Sequence, residues 1–158
     1  MNLKDYFEAT WGARGRLLDA AAKLAREEWT REFDISWRSL QKLFAHIIEV
    51  ERSWIVEDIR REKYDWAGDS EIERLYPTPE AARARGQEVA EQTRAELAEF
   101  VPARLQEKRR AKNIDGKVVD FTVEQILTHV FTHELRHQGQ IQAMLRLLGK
   151  EPPNADWI

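Results

Sequence analysis

The chain has 158 residues, enough for one sizeable hydrophobic core, and nothing in its length calls for a second domain, so one domain over residues 1–158 is expected. Charged residues make up 34% but the net charge is −3, so the surface is well solvated without the basic excess that phosphate backbones require; nucleic acid is not an expected partner. There is no cysteine, which excludes disulfides, thiolate zinc sites and cysteine nucleophiles together.

Any metal must therefore be held by histidine and carboxylate. The first residues, MNLKDYFEATWGARG, lack the basic start and apolar run of a signal peptide, and no window approaches the apolar length of a membrane span. The expectation is a cytoplasmic protein with a small-molecule substrate and no membrane partner.

The periodicity is almost entirely helical. A first helix is expected from about Leu3 to Trp29, capped by Asn2, with Tyr6, Leu17, Leu18, Ala21 and Leu24 facing inward and Gly12 and Gly15 weakening its first half. The segment WRSLQKLFAHIIEVERSWIVEDIRR aligns Leu40, Leu43, Ile47, Val50 and Trp54 on one stripe, with Asp34 or Ser36 as cap and an end near Arg61. EKYDWAGDSEIERLYP then reads as irregular and long enough to travel the length of a bundle, a crossover between parallel neighbours.

Helix three opens at TPE, with Thr78 as N-cap and Pro79 at the first helical position, and runs to roughly Arg110, kinked or split at Pro102. In NIDGKVVDF an Asp-Gly turn between β-branched runs allows a small hairpin outside the bundle. The fourth helix has the best-marked start: Thr122 and Gln125 form a capping box, Phe121 and Ile126 a hydrophobic staple, and Gly149 supplies the stop. Four long helices with one crossover make an all-α four-helix bundle.

Three of the four histidines lie in LTHVFTHELRHQGQ at intervals of four. Residues four apart on a helix are separated by about 6 Å along the axis and ~40° around it, so two such histidines can share an ion; His129 and His137, about 12 Å apart, cannot. With His129 at zero and ~100° per residue, Val123, Ile126, Leu127, Val130, Ile141, Met144, Leu145 and Leu148 centre near ~110°. His137 lies about 30° from that centre, His133 about 70° and His129 about 110°.

The inward pair is thus His133 and His137. His46, beside the apolar stripe of helix two, is the one histidine left to complete a site, and three imidazoles leave a fourth position open for water or substrate, the pattern of a reactive centre. The competing reading is scattered helical histidines, hydrogen-bonded in the core or exposed, and spacing alone leaves both open.

His133 to His137 also spells H-E-x-x-H, with Glu134 in the general-base position of zinc peptidases. The extended form fails, because Gln140 and Ala143 stand where a glycine and a third histidine belong, and for extended substrate the chain offers at most the edge of a small hairpin. Glu134 to His137 is likewise an E-x-x-H unit, yet the second copy a di-iron bundle needs is missing, since Leu43 precedes His46 by three.

The histidine in LQKLFAHIIEVERSWI, followed far downstream by LTHVFTHELRHQGQIQAMLRLLGKEPP and preceded by TWGARGRLL, resembles the DinB-like family of metal-binding four-helix bundles over almost the whole chain. The resemblance implies an up-down-down-up bundle, a homodimer, and a divalent ion held by one histidine of helix two and two of helix four. Those positions are His46, His133 and His137, the trio the helix wheel selects, with His129 accompanying the motif without being a ligand. Where many members carry Arg between the last histidine and the glycine, this chain has Gln138, a departure that bears on pocket charge.

Members with assigned activity are S-transferases using bacillithiol or mycothiol and related maleylpyruvate isomerases. The implied chemistry is a metal-dependent transferase that activates a low-molecular-weight thiol cosubstrate at an open three-histidine site. Glu134 and Glu49 are candidates to orient the ligands, Glu134 also for a base against an exposed solvating role, and Trp11 and Trp54 for walls of the pocket. Imidazole suits several metals, with zinc or nickel first and manganese or iron behind. The alternatives are a non-catalytic metal-stabilised bundle for binding or dimer assembly, and a metal-dependent hydrolase using Glu134.

Overall fold

The computed structural model describes residues 2–35, 37–66, 68–113 and 115–155. Helix α1 spans Leu3–Ala21 and starts on a capping box in which Asn2 Oδ1 accepts from the Asp5 amide and Asp5 Oδ2 accepts from the Asn2 amide, each at 3.0 Å. It is shorter than its periodicity predicts. The chain turns over 22–25 and resumes as α2, Arg26–Thr30, because Trp29 is recruited into the core, where its indole donates to the Tyr76 carbonyl at 3.2 Å and packs on Phe44.

Helix α3 spans Leu40–Ser53, with Ser39 as N-cap accepting from the Lys42 amide. Of the two expected caps, Asp34 lies outside the helix and Ser36 outside the described residues; Arg38, at φ 68°, makes the sharp entry that lets Ser39 serve instead. Beyond Ser53 the helix widens into a π-helical turn, Trp54–Ile59, closed by the Arg60 amide on the Ile55 carbonyl at 3.0 Å. The widening keeps Ile55, Val56 and Ile59 buried.

The crossover is not wholly irregular: it holds a short helix, α4, Asp69–Leu75, which delivers the fully buried Tyr76. Helix α5, Pro79–Ala98, begins with Thr78 as cap and Pro79 at its first position, as the sequence predicts. It ends twelve residues before Arg110 (110 − 98), since the chain breaks ahead of Pro102, which opens the short α6, Pro102–Leu105. Gly86 lies where α5 meets α3, and a Cβ there would stand 3.3 Å from Ile48 Cδ1.

A small antiparallel hairpin follows, β1 Lys108–Lys112 and β2 Val118–Thr122, with Lys108 opposite Thr122 and Lys112 opposite Val118. Its first strand, KRRAK, carries no β-branched residue and falls where the sequence reads as helix; pairing with VVDFT overrides its local preference. Helix α7, Val123–Leu147, then rises directly from β2 on the expected Thr122 and Gln125 capping box. Gly149 at φ 72° ends it in a Schellman arrangement, its amide bonding the Arg146 carbonyl and the Lys150 amide the Leu145 carbonyl.

The long helices pack as a ring in which α1 touches α5 and α7, and α3 touches the same two. Their apolar faces form two clusters, one around Leu17, Phe44, Ile47, Tyr76 and Leu145, the other around Phe7, Trp11, Ile55, Ile126 and Val130. No helix among the described residues is long and apolar enough to cross a membrane.

Candidate metal centre

Helices α3 and α7 lie side by side, and their histidines meet across the contact. His46 Nε2 stands 2.9 Å from His133 Nε2, and the His137 ring lies 4.8 Å from that of His46 and 4.4 Å from that of His133. One ring nitrogen from each falls within 4.8 Å of the others, the one such group of three or more histidine or acidic side chains among the described residues. His133 and His137 are buried and His46 is half-buried.

Burial pushes the imidazolium form of His46 and of His133 down to about 3, helped at His46 by His137 and at His133 by His46 and His137, with the positive charge of Arg136 acting on both. His137 is lowered by the same burial and by Arg136, against a hydrogen bond to Gln140 that raises it. The three rings are therefore neutral and carry lone pairs at ordinary pH.

The tautomer of His137 is set by its neighbours. Its Nδ1 donates to Gln140 Oε1 at 2.5 Å, one helical turn on, which leaves the lone pair on Nε2, where Arg136 donates at 3.3 Å. An accepting nitrogen with its opposite N–H anchored is the arrangement that a ligating histidine requires. Ligand nitrogens on a tetrahedral ion with bonds of roughly 2.0–2.1 Å stand about 3.3 Å apart, so the 2.9 Å gap between His46 and His133 needs to open by a few tenths of an ångström and the widest gap of the trio, up to 4.8 Å, to close by side-chain rotation. By chemistry and by spacing the donor set fits a divalent cation.

The sequence matches the model of the DinB family over residues 1–158. The chain belongs to the DinB family. Its structure is similar to that of a DinB-like protein, YjoA, from Bacillus subtilis, with a TM-score of 0.67 at 15% identity and 99% of each chain covered. It is similar also to YfiT from Bacillus subtilis, described as "a probable metal-dependent hydrolase with an unusual four-helix bundle topology", with a TM-score of 0.67 at 16% identity, covering 94% of this chain and 89% of that one. No curated protein matches the sequence.

Around the trio, this DinB-family chain places aromatic walls that its sequence did not point to. The Trp37 indole stacks on His46 with ring centres 3.9 Å apart and planes 23° from parallel. Trp37 precedes α3 in a stretch without periodicity, so its only signal was proximity to the helix start. Beside it a cavity of about 190 Å³ is lined by Trp37, Lys42, His46, Glu49, Tyr64 and Trp66, two of them contributed by the crossover.

Glu49 lies on that cavity but is committed elsewhere. It accepts from the Tyr76 hydroxyl at 2.6 Å, the Tyr64 hydroxyl at 2.8 Å and Arg85 Nε at 3.0 Å, which together hold its carboxyl below the usual range although burial alone would raise it. Through these bonds Glu49 ties the crossover and α5 to the helix that carries His46. His129 keeps apart from the trio, its ring 5.7 Å from that of His133 and 5.3 Å edge-on to Trp54.

Glu134 and Trp11 turn to a different part of the bundle. Glu134 is neither an exposed solvating residue nor placed among the histidines: it is buried, 3.4 Å from Arg14 and hydrogen-bonded by Gln138 Nε2 at 3.0 Å. Arg14 also pairs with Glu51 at 2.9 Å, and Glu51 accepts from the Trp11 indole and the Thr93 hydroxyl. Gln138 also donates to the Thr10 carbonyl inside this layer.

Each of the four long helices contributes to this layer: Arg14 from α1, Glu51 from α3, Thr93 from α5, Glu134 and Gln138 from α7. Burial pushes the Glu134 carboxyl up, with the charge of Glu51 adding to it and Arg14 opposing. Apart from Glu134 and Gln138, one turn apart on α7, nothing local in the sequence marks these residues as partners, because their separations run up to 128 positions.

Proposed function

We propose that this protein holds a divalent metal ion, zinc or nickel first and manganese or iron behind, on His46, His133 and His137, and that it is a metal-dependent transferase activating a low-molecular-weight thiol of the bacillithiol or mycothiol type. The observation that carries the reading is the meeting of three neutral imidazoles from two helices beside a cavity that reaches His46. Three ligands leave a position for an external group, and the cavity gives that group a way in. A divalent ion in this place supplies stabilisation of a thiolate at neutral pH.

The remaining roles fall to the chain itself. Gln140 anchors His137 through Nδ1, Trp37 fixes the His46 ring by stacking, and Lys42 and Tyr64 stand on the cavity wall where a polar thiol would enter. The chain has no cysteine, so the thiol has to come from outside.

The description of YfiT favours a second reading, metal-dependent hydrolysis. Glu134 is poorly placed to be its base, since both carboxylate oxygens are occupied by Arg14 and Gln138. Conjugation of a chromogenic chloronitroarene, screened with several thiols with and without added metal, separates the cases. Thiol-dependent turnover that is lost on chelation supports the transferase. Ester or peptide turnover without thiol supports the hydrolase. No turnover, with a large loss of thermal stability on chelation, supports a metal-stabilised bundle for binding or dimer assembly.

The proposal includes an up-down-down-up course for the helices, with the long crossover joining parallel neighbours α3 and α5. It rests on the order of contacts: Glu8 meets Arg94 and Asp19 meets Arg83, which sets α1 against α5, while Glu49 meets Arg85 and Glu51 meets Thr93, which runs α3 with α5. Homodimer assembly, which the family resemblance implies, and a cytoplasmic location belong to the same proposal.

A further inference from the structure

A second cavity, of about 500 Å³, opens on the other side of the trio, between the hairpin, the π-helical turn and the start of α7. Trp54, Phe121 and Ile126 supply an apolar lining, and His129 closes the end toward His133. Lys112, at the end of β1, is the one charged side chain lining it among the described residues, and no carboxylate there lies within ion-pair distance of its ammonium. Asn113 and Gln125 complete the wall, but both already serve as caps, Asn113 for the hairpin turn and Gln125 for α7.

We propose that this cavity binds a small organic acid with an aromatic or otherwise apolar body, seated between Trp54 and Phe121 with its anionic group against Lys112 and its far end at His129. An apolar cleft of this size with a single convergent charge suits such a molecule, because the body gains from leaving water while the anion meets a cation that no carboxylate among the described residues neutralises. His129, at the end of the cavity toward His133, presents its ring to the far end of the ligand. The ligand would then be the electrophile that meets the activated thiol, a role that rests on the transferase reading; occupancy of the cavity does not.

Binding can be read without turnover. Anilinonaphthalene sulfonate serves as the anionic aromatic probe and N-phenylnaphthylamine as its uncharged counterpart, titrated by fluorescence into metal-loaded wild type, Lys112→Glu and Lys112→Met, with circular dichroism to verify folding. The expected result is saturable binding of the sulfonate, weakened about tenfold in Lys112→Glu and less in Lys112→Met, with the uncharged probe changed by no more than about twofold. Equal sulfonate affinity in all three proteins, tighter binding of the uncharged probe, or no saturable binding to wild type overturns the proposal. Sulfonate binding that follows this pattern in a protein without thiol-dependent turnover keeps the cavity assignment and removes the transferase reading alone.

Discussion

His46 and His133 bring Nε2 to Nε2 at 2.9 Å from helices whose residues are 87 positions apart. With both rings neutral, one Nε2–H tautomer bridges this gap by a hydrogen bond, and a shift of that ring to its Nδ1–H tautomer turns both Nε2 lone pairs toward a shared cation. Purified protein is therefore expected to carry about one divalent ion per chain, by elemental analysis. His46→Ala, His133→Ala and His137→Ala should each lose it, and His129→Ala should keep it.

Gln140 acts on the centre at one remove. Removing the acceptor of the His137 Nδ1 proton in Gln140→Leu frees the ring to turn and to change tautomer, and weakening of metal affinity by about 10-fold to 100-fold is expected. Competition with a chromogenic chelator measures it; unchanged affinity would show that the helix backbone alone holds the ring.

The Arg14 layer separates structural from chemical roles for Glu134. Arg14→Met leaves Glu51 and Glu134 buried together without their cation and should cost about 3–5 kcal/mol in urea denaturation. Glu134→Gln keeps an acceptor for Gln138 and should retain the metal and any thiol-dependent turnover within about threefold, whereas removal of a general base typically costs about 100-fold or more.

Asp58 gives a pH test away from the centre. Half-buried within the π-helical turn and next to Glu57, its carboxyl is pushed up to about 6, first by burial and then by that neighbour. Between the ordinary value of 3.8 and about 6 the folded chain holds a proton that the unfolded chain has released, so stability declines as pH rises through this window. Asp58→Asn should match wild type near pH 4 and exceed it above pH 7 in thermal melts.

What was legible in the sequence shares one property: it depends on residues within a turn or two. The cap at Asn2, the capping box at Thr122, Pro79 at the first position of α5 and the Gly149 stop all join neighbours in the chain, and all stand where local chemistry puts them. The inward turn of His133 and His137 was likewise fixed by the period of one helix. The break after Ala21, the strand made from KRRAK and the π-helical turn at Trp54 had no such local cause.

By itself, the sequence determined a mainly helical chain, the starts of α1, α5 and α7, and which face of the last helix would present a histidine pair. Tertiary structure decided which groups share an environment: Trp37 against His46, Trp54 against His129, and Glu134 drawn away from the histidines to Arg14. Helical period fixes the direction in which a side chain leaves its own helix, but its partner is set by the docking of other helices. That docking buries apolar area from several segments at once and obliges each buried charge to find its counter-charge wherever the packing has left it.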